Sequence, residues 1–454
     1  MLRDSIDYKG TAVGKLFRRF LFPTVMGMVF SAVFIITDGI FVGRGIGSDA
    51  LAAVNLTAPL FTLGTGLGLM FGMGGSVVAS VNLAQGKRRV AQINITQSLF
   101  VPALLIVLLS ALLILCHKPL LLLLGTPPEL MVPAREYLVW FTLFLTPLAV
   151  FNILMFIVRL DGAPRFAMAC NIMAASINIV LDYLFIFEFG WGLAGAAIAT
   201  GVGYIAGSGV MLRYMLRSSR TLHFVKLKTS YKSLRLTARN LGYMTYIGFP
   251  ALLSELAISC LMIVGNYTFI RYTGKDGVAA YSIACYIFPI IFMVYNGIIQ
   301  SAQPIISYNY GARRPERVKK TIRLAVCYAE GIMVLGFCIF EFFPGQVLGL
   351  FSASQAMLTI GIPAMRIICL HFLLAGTSIV LSSVFQALGN GLFSLIVSVC
   401  RQLFVLLPAA WLLAQTGSVN NVWWAFLIAE FVSILMSLAF YARINKTTIA
   451  PLYH

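Results

Sequence analysis

The sequence is poor in charge and in the residues that most enzymes use for chemistry. Asp, Glu, Lys and Arg make up 11% of its 454 residues, and it has four histidines. Its eight cysteines are scattered without a CxxC pair, so they indicate neither a metal site nor a disulfide framework. No Walker A motif is present, which argues against ATP as an energy source within this chain. We therefore expect no cofactor and no enzymatic activity.

Apolar residues, by contrast, dominate the sequence. They make up 60% of the chain, more than a water-soluble protein uses in its core. Apolar stretches of about 20 residues, the length that crosses a bilayer as a helix, recur with short polar breaks. We count twelve, starting near residues 14, 51, 93, 132, 165, 193, 240, 277, 318, 357, 392 and 419. The sequence thus predicts an all-α integral membrane protein with 12 transmembrane helices.

Basic residues are concentrated in every second loop. The formal net charge is +18, and the loops after even-numbered spans carry most of the Lys and Arg, above all residues 213–239. The positive-inside rule then places both termini in the cytoplasm, and we expect a multi-pass protein of the plasma (inner) membrane. Contact with anionic membrane lipid explains these charges. Nucleic-acid binding is disfavoured because the basic residues are not interleaved with exposed aromatic residues.

The two halves of the chain are similar at one constant offset, the repeat offset, which carries position 22 onto position 249. Residues 22–54 align without gaps with residues 249–281, and the same offset pairs Gly162 of "RLDGAP" with Gly389 of "QALGNG". The ends of the second helices match only after a two-residue shift, which sets "AQGKRR" against "NYGARR". Parallel repeats of this kind are typical of transporters, in which two similar bundles pack around a central cavity.

Each half contains six spans, so both copies have the same orientation in the membrane. The sequence predicts two six-helix bundles related by a pseudo-two-fold axis along the membrane normal. We place the N-lobe (helices 1–6) at residues 1–217, a basic cytoplasmic linker at 218–239 and the C-lobe (helices 7–12) at 240–454. The sequence does not specify an oligomeric state, and a monomer is the simplest expectation.

Two acidic residues lie inside predicted spans of the first half without acidic counterparts in the second. Asp38 is part of "FIITDGIFVG", and Asp182 is part of "NIMAASINIVLDYLF". At the repeat offset they correspond to Gly265 and Ala409. A charge in the bilayer costs at least a few kcal/mol, so such a residue usually faces the protein interior and serves a function. The alternative is a structural hydrogen-bonding role at helix contacts.

A stripe of small and polar residues runs down the fifth helix. Its members follow at i, i+4, i+7 and i+11: Asn171, Ala175, Asn178 and Asp182. Asn152 on helix four and Thr200 on helix six would complete a pocket of oxygen atoms with Asp38. Such a pocket either binds a sodium ion or holds a proton, since burial and a second nearby acid favour the protonated form of a carboxyl group.

Other residues in the spans have weaker claims to function. Glu255 either contributes to a substrate or second-lobe site, or bonds the backbone freed by Pro250. His371 is either a proton relay at such a site or a hydrogen-bonded core residue. We expect internal ion pairs for the remaining four: Glu330, Glu430, Arg366 and Arg401. Pro23, about four turns before Asp38 on the same helix, is a candidate hinge.

Several motifs resemble those of prokaryotic members of the MATE (multidrug and toxic compound extrusion) family. They are "FP" at the start of helices one and seven, "TDGIFVGRGIGSDALAAV" after helix one, "RLDGAPRFA" after helix four, "NIVLDYLFIFEFGWGLAGAAIATGVG" through helices five and six, and "QPIISYNYGARR" after helix eight. The resemblance covers nearly the whole chain. It implies secondary active export of cationic or amphipathic aromatic compounds, driven by protons or sodium ions.

The resemblance also implies roles for individual residues. In prokaryotic members a first-lobe cation site is built from a helix-one aspartate and a helix-five NxxxD, and the residues here that match this site or look like further members of it are Asp38, Asn178, Asp182, Asn152 and Thr200. Glu255 resembles the helix-seven glutamate of members with a second-lobe cation site. Those members also tend to carry an acid on helix ten, which is missing from "LLAGTSIVLSSVFQ". We therefore expect the first lobe to bind the coupling cation.

The expected mechanism is cation antiport by alternating access. Asp38 and Asp182 take up H⁺ or Na⁺ from outside, substrate leaves, and the reloaded carrier turns inward. Coupling requires that cation and substrate compete for the same carboxylates or prefer different states. The alternative is a flippase for an amphipathic lipid-linked intermediate, which would need more cationic residues in the cavity than Arg366 and Arg401 to hold a pyrophosphate.

Overall fold

The computed structural model describes residues 7–124, 126–349, 355–416 and 418–453, without the side chains of residues 48, 51, 261–292, 355–357, 360 and 419. All secondary structure in these ranges is helical. The first half comprises α1 (Val13–Gly45), α2 (Ser48–Ala84), α3 (Arg88–Leu115), α4 (His117–Leu123), α5 (Met131–Leu143), α6 (Leu145–Leu160), α7 (Pro164–Tyr183) and α8 (Gly192–Arg217). The second comprises α9 (Tyr231–Gly311), α10 (Pro315–Phe342), α11 (Pro344–Gly349), α12 (Gln355–Cys369), α13 (Phe372–Ala387), α14 (Gly391–Val399), α15 (Leu407–Ala414) and α16 (Val419–Ile444).

The helices are long and apolar enough to cross a membrane at eleven places in the described residues. Nine are single spans, and two are bent pairs, α5 with α6 at 46° and α12 with α13 at 50°. A helix suits this environment because it satisfies its own backbone hydrogen bonds where no water is present. These eleven match predicted spans. The break expected before the remaining span, near residue 277, lies in 261–292, outside the residues that are fully described.

The repeat offset holds for helix boundaries along the chain. α10 begins and ends at the positions equivalent to the ends of α3, α13 at those of α6, and α16 at those of α8. The two bends are equivalent as well. At the first, the Phe144 amide donates to Phe141 O at 2.9 Å, and at the second, the His371 amide donates to Ile368 O at 3.1 Å. Each bend is therefore a tightened turn with an i→i−3 hydrogen bond. Pro147, three residues after the first bend, cannot donate to the backbone oxygen of Leu143, whereas the second bend has Leu374 at the equivalent position.

The two-residue shift expected at the end of the second helix is wrong. Gly86 and Arg313, which are equivalent at the unshifted repeat offset, both adopt the left-handed conformation, with φ of 79° and 53°. The Gly86 amide donates to Leu83 O and the Arg313 amide to Tyr310 O, each at 3.1 Å. The similar residues of "GKRR" and "GARR" suggested the shifted register. At this helix end, however, the equivalent positions are those with the same backbone conformation rather than those with the same residue type.

The described chain forms two compact units. The first contains Phe22–Leu256 together with the residues that precede Thr11, and the second contains Thr11–Leu21 and the residues from Ala257 onward. Within the first unit, α2 packs against α3, α5 and α6, and α7 packs against α8. Within the second, α10 packs against α12 and α13, and α16 against α12, α13 and α15. The predicted lobe boundaries, at residues 217 and 240, describe the two bodies that move against each other during transport. They are not the same as these compact units, and they stay a prediction.

The start of the predicted linker is held against the first unit by Asp161 of the "RLDGAP" motif. Its carboxylate accepts hydrogen bonds from the Tyr214 hydroxyl at 2.9 Å and from the backbone amides of Arg220, Thr221 and Leu222 at 3.0, 2.9 and 2.9 Å. Four donors on one carboxylate compensate its negative charge. The chain that leaves α8 is thereby fixed to the end of α6.

Candidate functional site

Two carboxyl groups from different helices face each other inside the first unit. Asp38 of α1 and Asp182 of α7 are direct side-chain neighbours, and Asp182 is fully buried. Oδ1 of Asp38 and both carboxyl oxygens of Asp182 are buried without a hydrogen-bond donor among the described residues. Two ionised carboxylates have no proton to offer each other, so a contact of this kind requires a shared proton or a cation between them. The pair is therefore a candidate cation site.

The register of α1 against α7 is set about three turns before this pair. Nδ2 of Asn171 donates to the backbone oxygen of Gly27 at 2.7 Å and to Oγ of Ser31 at 2.8 Å. A Cβ on Gly27 would lie 3.3 Å from Nδ2 of Asn171, so the glycine permits the close approach. Asp38 and Asp182 each lie eleven positions after Gly27 and Asn171, so the two helices run parallel and meet again at the acids.

Asn178 and Thr200 lie beside this acid pair. Nδ2 of Asn178 donates to Oγ1 of Thr200 at 3.1 Å, and Asn178 is a side-chain neighbour of Asp182. Oδ1 of Asn178 is a further buried oxygen without a hydrogen-bond donor in the part of the chain that is described. The close approach of α8 depends on Gly203, where a Cβ would lie 2.8 Å from Ala174 O. The structure thus brings together Asp38, Asn178, Asp182 and Thr200, and it orients several oxygen atoms to one place.

Asn152 contributes differently from the prediction. Its Nδ2 donates to Leu148 O of its own helix at 3.0 Å. Its Cβ would lie 2.6 Å from a Cβ on Gly68, so the side chain packs where α6 meets α2. No hydrogen bond described here joins Asn152 to either acid.

Two tyrosines near the acids were missed in the sequence. Tyr137 of α5 interacts electrostatically with Asp38 and Asp182, and Tyr204 of α8 interacts with Asp38. A phenol can donate to a carboxylate or accept from a protonated carboxyl group. Tyr204 follows Thr200 by four residues and so shares its helix face, a spacing that was available in the sequence. Nothing in the sequence distinguishes Tyr137 from the many aromatic residues that only pack in the spans. It does stack on Phe141, with ring centroids 5.7 Å apart.

The candidates outside the acid pair fall in separate places. Glu255 lies in the first unit rather than the second, with its Cβ 3.3 Å from where a Cβ on Gly66 would be. It does so because the first part of α9 packs closely on α2 through Gly66 and Leu252. His371 lies in the second unit at the bend before α13. Pro23 lies inside α1, which continues through it as a helix.

Of the expected ion pairs, one is confirmed. Nη1 of Arg401 lies 3.6 Å from Oε2 of Glu430. The expectation for Glu330 and Arg366 is wrong within the described residues. Glu330 accepts hydrogen bonds from the backbone amide and the hydroxyl of Thr377, both at 2.6 Å, and Nε of Arg366 donates to Glu341 O at 3.3 Å. A charged residue in a predicted span indicates that a partner is needed. The sequence does not show whether that partner is an opposite charge, a hydroxyl or a backbone group.

Comparisons with known proteins agree with this architecture. The family model described as MatE matches residues 23–184 and again residues 250–412, two matches that begin at equivalent positions of the repeat. "Multidrug export protein MepA" of Staphylococcus saprophyticus is 26% identical over 435 residues, covering 95% of this chain and 94% of the relative. The protein of the same name from Staphylococcus aureus is also 26% identical, over 444 residues, with the same coverage of each chain.

Solved structures share the fold. "Outward-facing conformation of a multidrug resistance MATE family transporter of the MOP superfamily" superposes with a TM-score of 0.88 at 24% identity, covering 99% of each chain. "Crystal structure of MATE in the straight conformation" gives a TM-score of 0.87 at 24% identity, covering 98% of this chain and 97% of that one. At this identity the likeness shows the fold.

Proposed function

The chain belongs to the MatE family and is a multi-pass membrane transporter rather than an enzyme; from this premise we propose that it exports cationic or amphipathic aromatic compounds in exchange for protons or sodium ions. The matching relatives that are named multidrug export proteins support the substrate class. We further propose that it works as a single chain in the inner membrane, with both termini in the cytoplasm and membrane lipid around it.

The observation that carries this proposal is the contact between Asp38 and Asp182. The two carboxyl groups and the Asn178 amide present four buried oxygen atoms without donors among the described residues. Burial of these oxygen atoms is favourable only when a cation is bound, because buried oxygens without donors lose their hydration and gain no hydrogen bond in return. A proton or a sodium ion supplies the compensation, and either would give the site an occupied and an unoccupied state.

The exchange of cation for substrate follows from the occupied and unoccupied states of this cation site. In our proposal, cation uptake from outside closes the contact between Asp38 and Asp182 and weakens the site for a positively charged substrate. Substrate arriving from inside then competes for the same carboxylates. The two ligands must have different affinities for the two states, since a ligand that binds both equally shifts nothing. Pro23 is the proposed point about which the pose of α1 changes, because its ring removes one helix hydrogen bond.

A flippase for lipid-linked intermediates is not favoured. Such a transporter would need free cationic side chains for a pyrophosphate. Arg401 is paired with Glu430, and Arg366 donates to the backbone of Glu341. The two basic candidates of the sequence are therefore already engaged with groups of their own unit.

The proposal is tested by efflux from proteoliposomes loaded with ethidium, a fluorescent organic cation. An inward proton gradient and an inward sodium gradient are imposed separately on the parent protein and on Asp38→Asn. Asp49→Asn serves as the control because Asp49 is an exposed acid in the first turn of α2. We expect one gradient to drive efflux in the parent and the control but not in Asp38→Asn. Efflux that is equal in all three proteins, or absent under both gradients, would refute the antiport.

A further inference from the structure

Three aromatic rings and one carboxylate meet just beyond the acid pair, at the ends of α1 and α7. The ring of Phe41 lies 5.6 Å from that of Phe187 and 6.5 Å from that of Tyr183, between centroids, and the rings of Tyr183 and Phe187 are 5.5 Å apart. The Tyr183 hydroxyl donates to Oε1 of Glu188 at 3.3 Å. We call these four residues the outer aromatic cluster, because the proposed topology places this end of the helices outside.

The outer aromatic cluster is placed by the two helices that carry the acids. Phe41 follows Asp38 by three residues, so it lies on the same face of α1, one turn further on. On α7, the π-helical segment Leu184–Glu188 begins two residues after the acid of that helix. α1 approaches this segment closely at Gly45, where a Cβ would lie 3.0 Å from two ring carbons of Phe187. The rings therefore lie next to the acid pair on its outward side, in a type of helical turn that is frequent at functional sites.

The repeat shows that these helix ends do not require the cluster. At the repeat offset its members correspond to residues with neither an aromatic ring nor a carboxylate: Thr268, Ala410, Ala414 and Gln415. The register is secure at this place, since α8 and α16 begin and end at equivalent positions. The acid pair is confined to the first half in the same way, with Gly265 and Ala409 at the equivalent positions. The aromatic cluster and the acids therefore occur together, as expected if they bind the same ligand.

Two of the rings and the carboxylate are accessible to a ligand. Tyr183 is 48% and Phe187 is 44% exposed, and Glu188 is exposed as well. Glu188 takes part in no ion pair within the described residues, although Arg44 lies at the end of the neighbouring α1. An aromatic ring attracts a cation over its face and stacks on other rings, and a carboxylate beside it attracts the same cation. The cluster therefore fits a ligand that is both aromatic and positively charged.

A second group of rings in the same segment illustrates the alternative explanation. Phe185, Phe189 and Trp191 contact one another, with the ring centroids of Phe185 and Trp191 4.6 Å apart and those of Phe189 and Trp191 5.6 Å apart. Among the described residues, no carboxylate is hydrogen-bonded to this second group. Such aromatic residues are common where a helix leaves the bilayer. If the outer aromatic cluster were only part of this belt, the charge of Glu188 would have no effect on ligand binding.

We infer that the outer aromatic cluster is a second binding site for aromatic cations, which holds an exported compound after it leaves the acid pair. The inference rests on the proposed export function and adds a site to it. The exposed ring faces of Tyr183 and Phe187 bind the aromatic part of the ligand, and Glu188 stabilises its positive charge. Phe41 packs edge-on against both rings and so fixes their position relative to α1.

The site is tested first by binding, without transport. Radiolabelled tetraphenylphosphonium is dialysed to equilibrium against the detergent-solubilised full-length protein. The background variant is Asp38→Asn/Asp182→Asn, which removes the carboxylates of the acid pair. We expect the background to show saturable binding that weakens about two- to fivefold when Glu188→Gln or Phe187→Leu is added, the effect of one exposed ion pair or one cation–π contact. Absence of saturable binding in the background, or unchanged binding in Glu188→Gln, would overturn the inference.

Matched controls separate this site from the aromatic belt. Glu129→Gln removes an exposed acid from another outer loop, and Phe189→Leu removes a ring of the second group. Both should bind tetraphenylphosphonium as the background does, and a loss equal to that in Glu188→Gln would overturn the inference. Tetraphenylborate, which has the same shape and a negative charge, is measured in a separate sample. Its binding should not weaken in Glu188→Gln, and a loss equal to that of tetraphenylphosphonium would contradict charge recognition.

The role of the site in export is tested with right-side-out membrane vesicles loaded with ethidium. Tetraphenylphosphonium added outside should inhibit ethidium efflux at once, before it crosses the membrane, and Glu188→Gln should raise its half-inhibitory concentration by the same factor as in dialysis. An unchanged half-inhibitory concentration would overturn the role in release. If no ion gradient drives efflux in the parent, the proposed antiport fails, while dialysis still decides whether the outer site exists. If efflux is driven but the background binds nothing, the outer site alone fails.

Discussion

Asn171 of α7 donates a hydrogen bond to the backbone oxygen of Gly27 in α1 at 2.7 Å, about three turns before the acids of the two helices meet. This bond fixes the register in which Asp182 faces Asp38. A cation site made by two helices depends on that register, because a shift by one residue would turn one carboxyl group away from the other.

Asn171→Ala tests the role of this bond. We expect a loss of about 1–2 kcal/mol in stability, since the two hydrogen bonds from Asn171 to α1 are lost, together with weaker ion-driven efflux. Ser31→Ala is the matched control. It removes an acceptor of Asn171 and the bond from its own hydroxyl to Gly27 O, but it leaves the bond from Asn171 to Gly27 in place. Tryptophan fluorescence on heating and ethidium efflux measure the two effects. If both variants behave alike, the bond to Gly27 has no special role.

Gly203→Ala tests the close contact between α7 and α8. The new methyl group would lie 2.8 Å from Ala174 O and 3.3 Å from Cβ of Asn178, so we expect a loss of about 1–3 kcal/mol. Gly209→Ala on the same helix is the control, because a Cβ there meets nothing within 4 Å. It should be neutral or stabilising by about 0.5–1 kcal/mol, as alanine favours the helix. Equal unfolding midpoints for the two variants would contradict the packing described.

Tyr204→Phe tests whether the phenol contributes to the acid site. The variant keeps the ring, which lies 5.3 Å from that of Phe151, and removes only the hydroxyl beside Asp38. The phenol interacts with Asp38 electrostatically, without a hydrogen bond among those described, so we expect the cation concentration for half-maximal efflux to change by up to roughly tenfold, or about 1.4 kcal/mol. Tyr231→Phe, at an exposed position, should change nothing. An unchanged cation dependence in Tyr204→Phe would remove this residue from the site.

Arg313→Gly tests the register of the repeat. Arg313 adopts the left-handed conformation that glycine takes at the equivalent position, Gly86. An L-residue pays about 1–2 kcal/mol in this conformation, so we expect the variant to unfold at a higher temperature. Gly86→Ala should lower the unfolding midpoint for the same reason, although a Cβ there meets nothing within 4 Å. A lower midpoint for Arg313→Gly would contradict the strain argument.

Much of this architecture could be predicted from the sequence because each membrane-spanning helix corresponds to a long run of apolar residues. The eleven described spans and the pairing of Gly162 with Gly389 follow from hydropathy and from similar letters. The register at Arg313 could not be predicted, since it depends on a backbone conformation that arginine rarely adopts. Helix boundaries that recur at the repeat offset are therefore stronger evidence for the repeat than the aligned residues themselves.

The candidate site was predictable in its acids but not in its full extent. The spacing of Asn178 and Asp182 placed them on one face, and the structure sets Asp38 against that face. The sequence could not show that Asn152 packs on Gly68 instead, because helix spacing does not specify which neighbouring helix a face meets. It also could not place Glu255 in the first unit, since that depends on how α9 packs on α2.

The central claim, that Asp38 and Asp182 exchange a cation for substrate, is tested most directly by the ion released when substrate binds. Tetraphenylphosphonium is added to the detergent-solubilised protein in weak buffer, and proton release is measured with a pH indicator and sodium release with a sodium-selective electrode. We expect the parent to release a cation on binding, and Asp38→Asn/Asp182→Asn to release one ion fewer per bound substrate. Equal release from both proteins at equal occupancy would contradict the account.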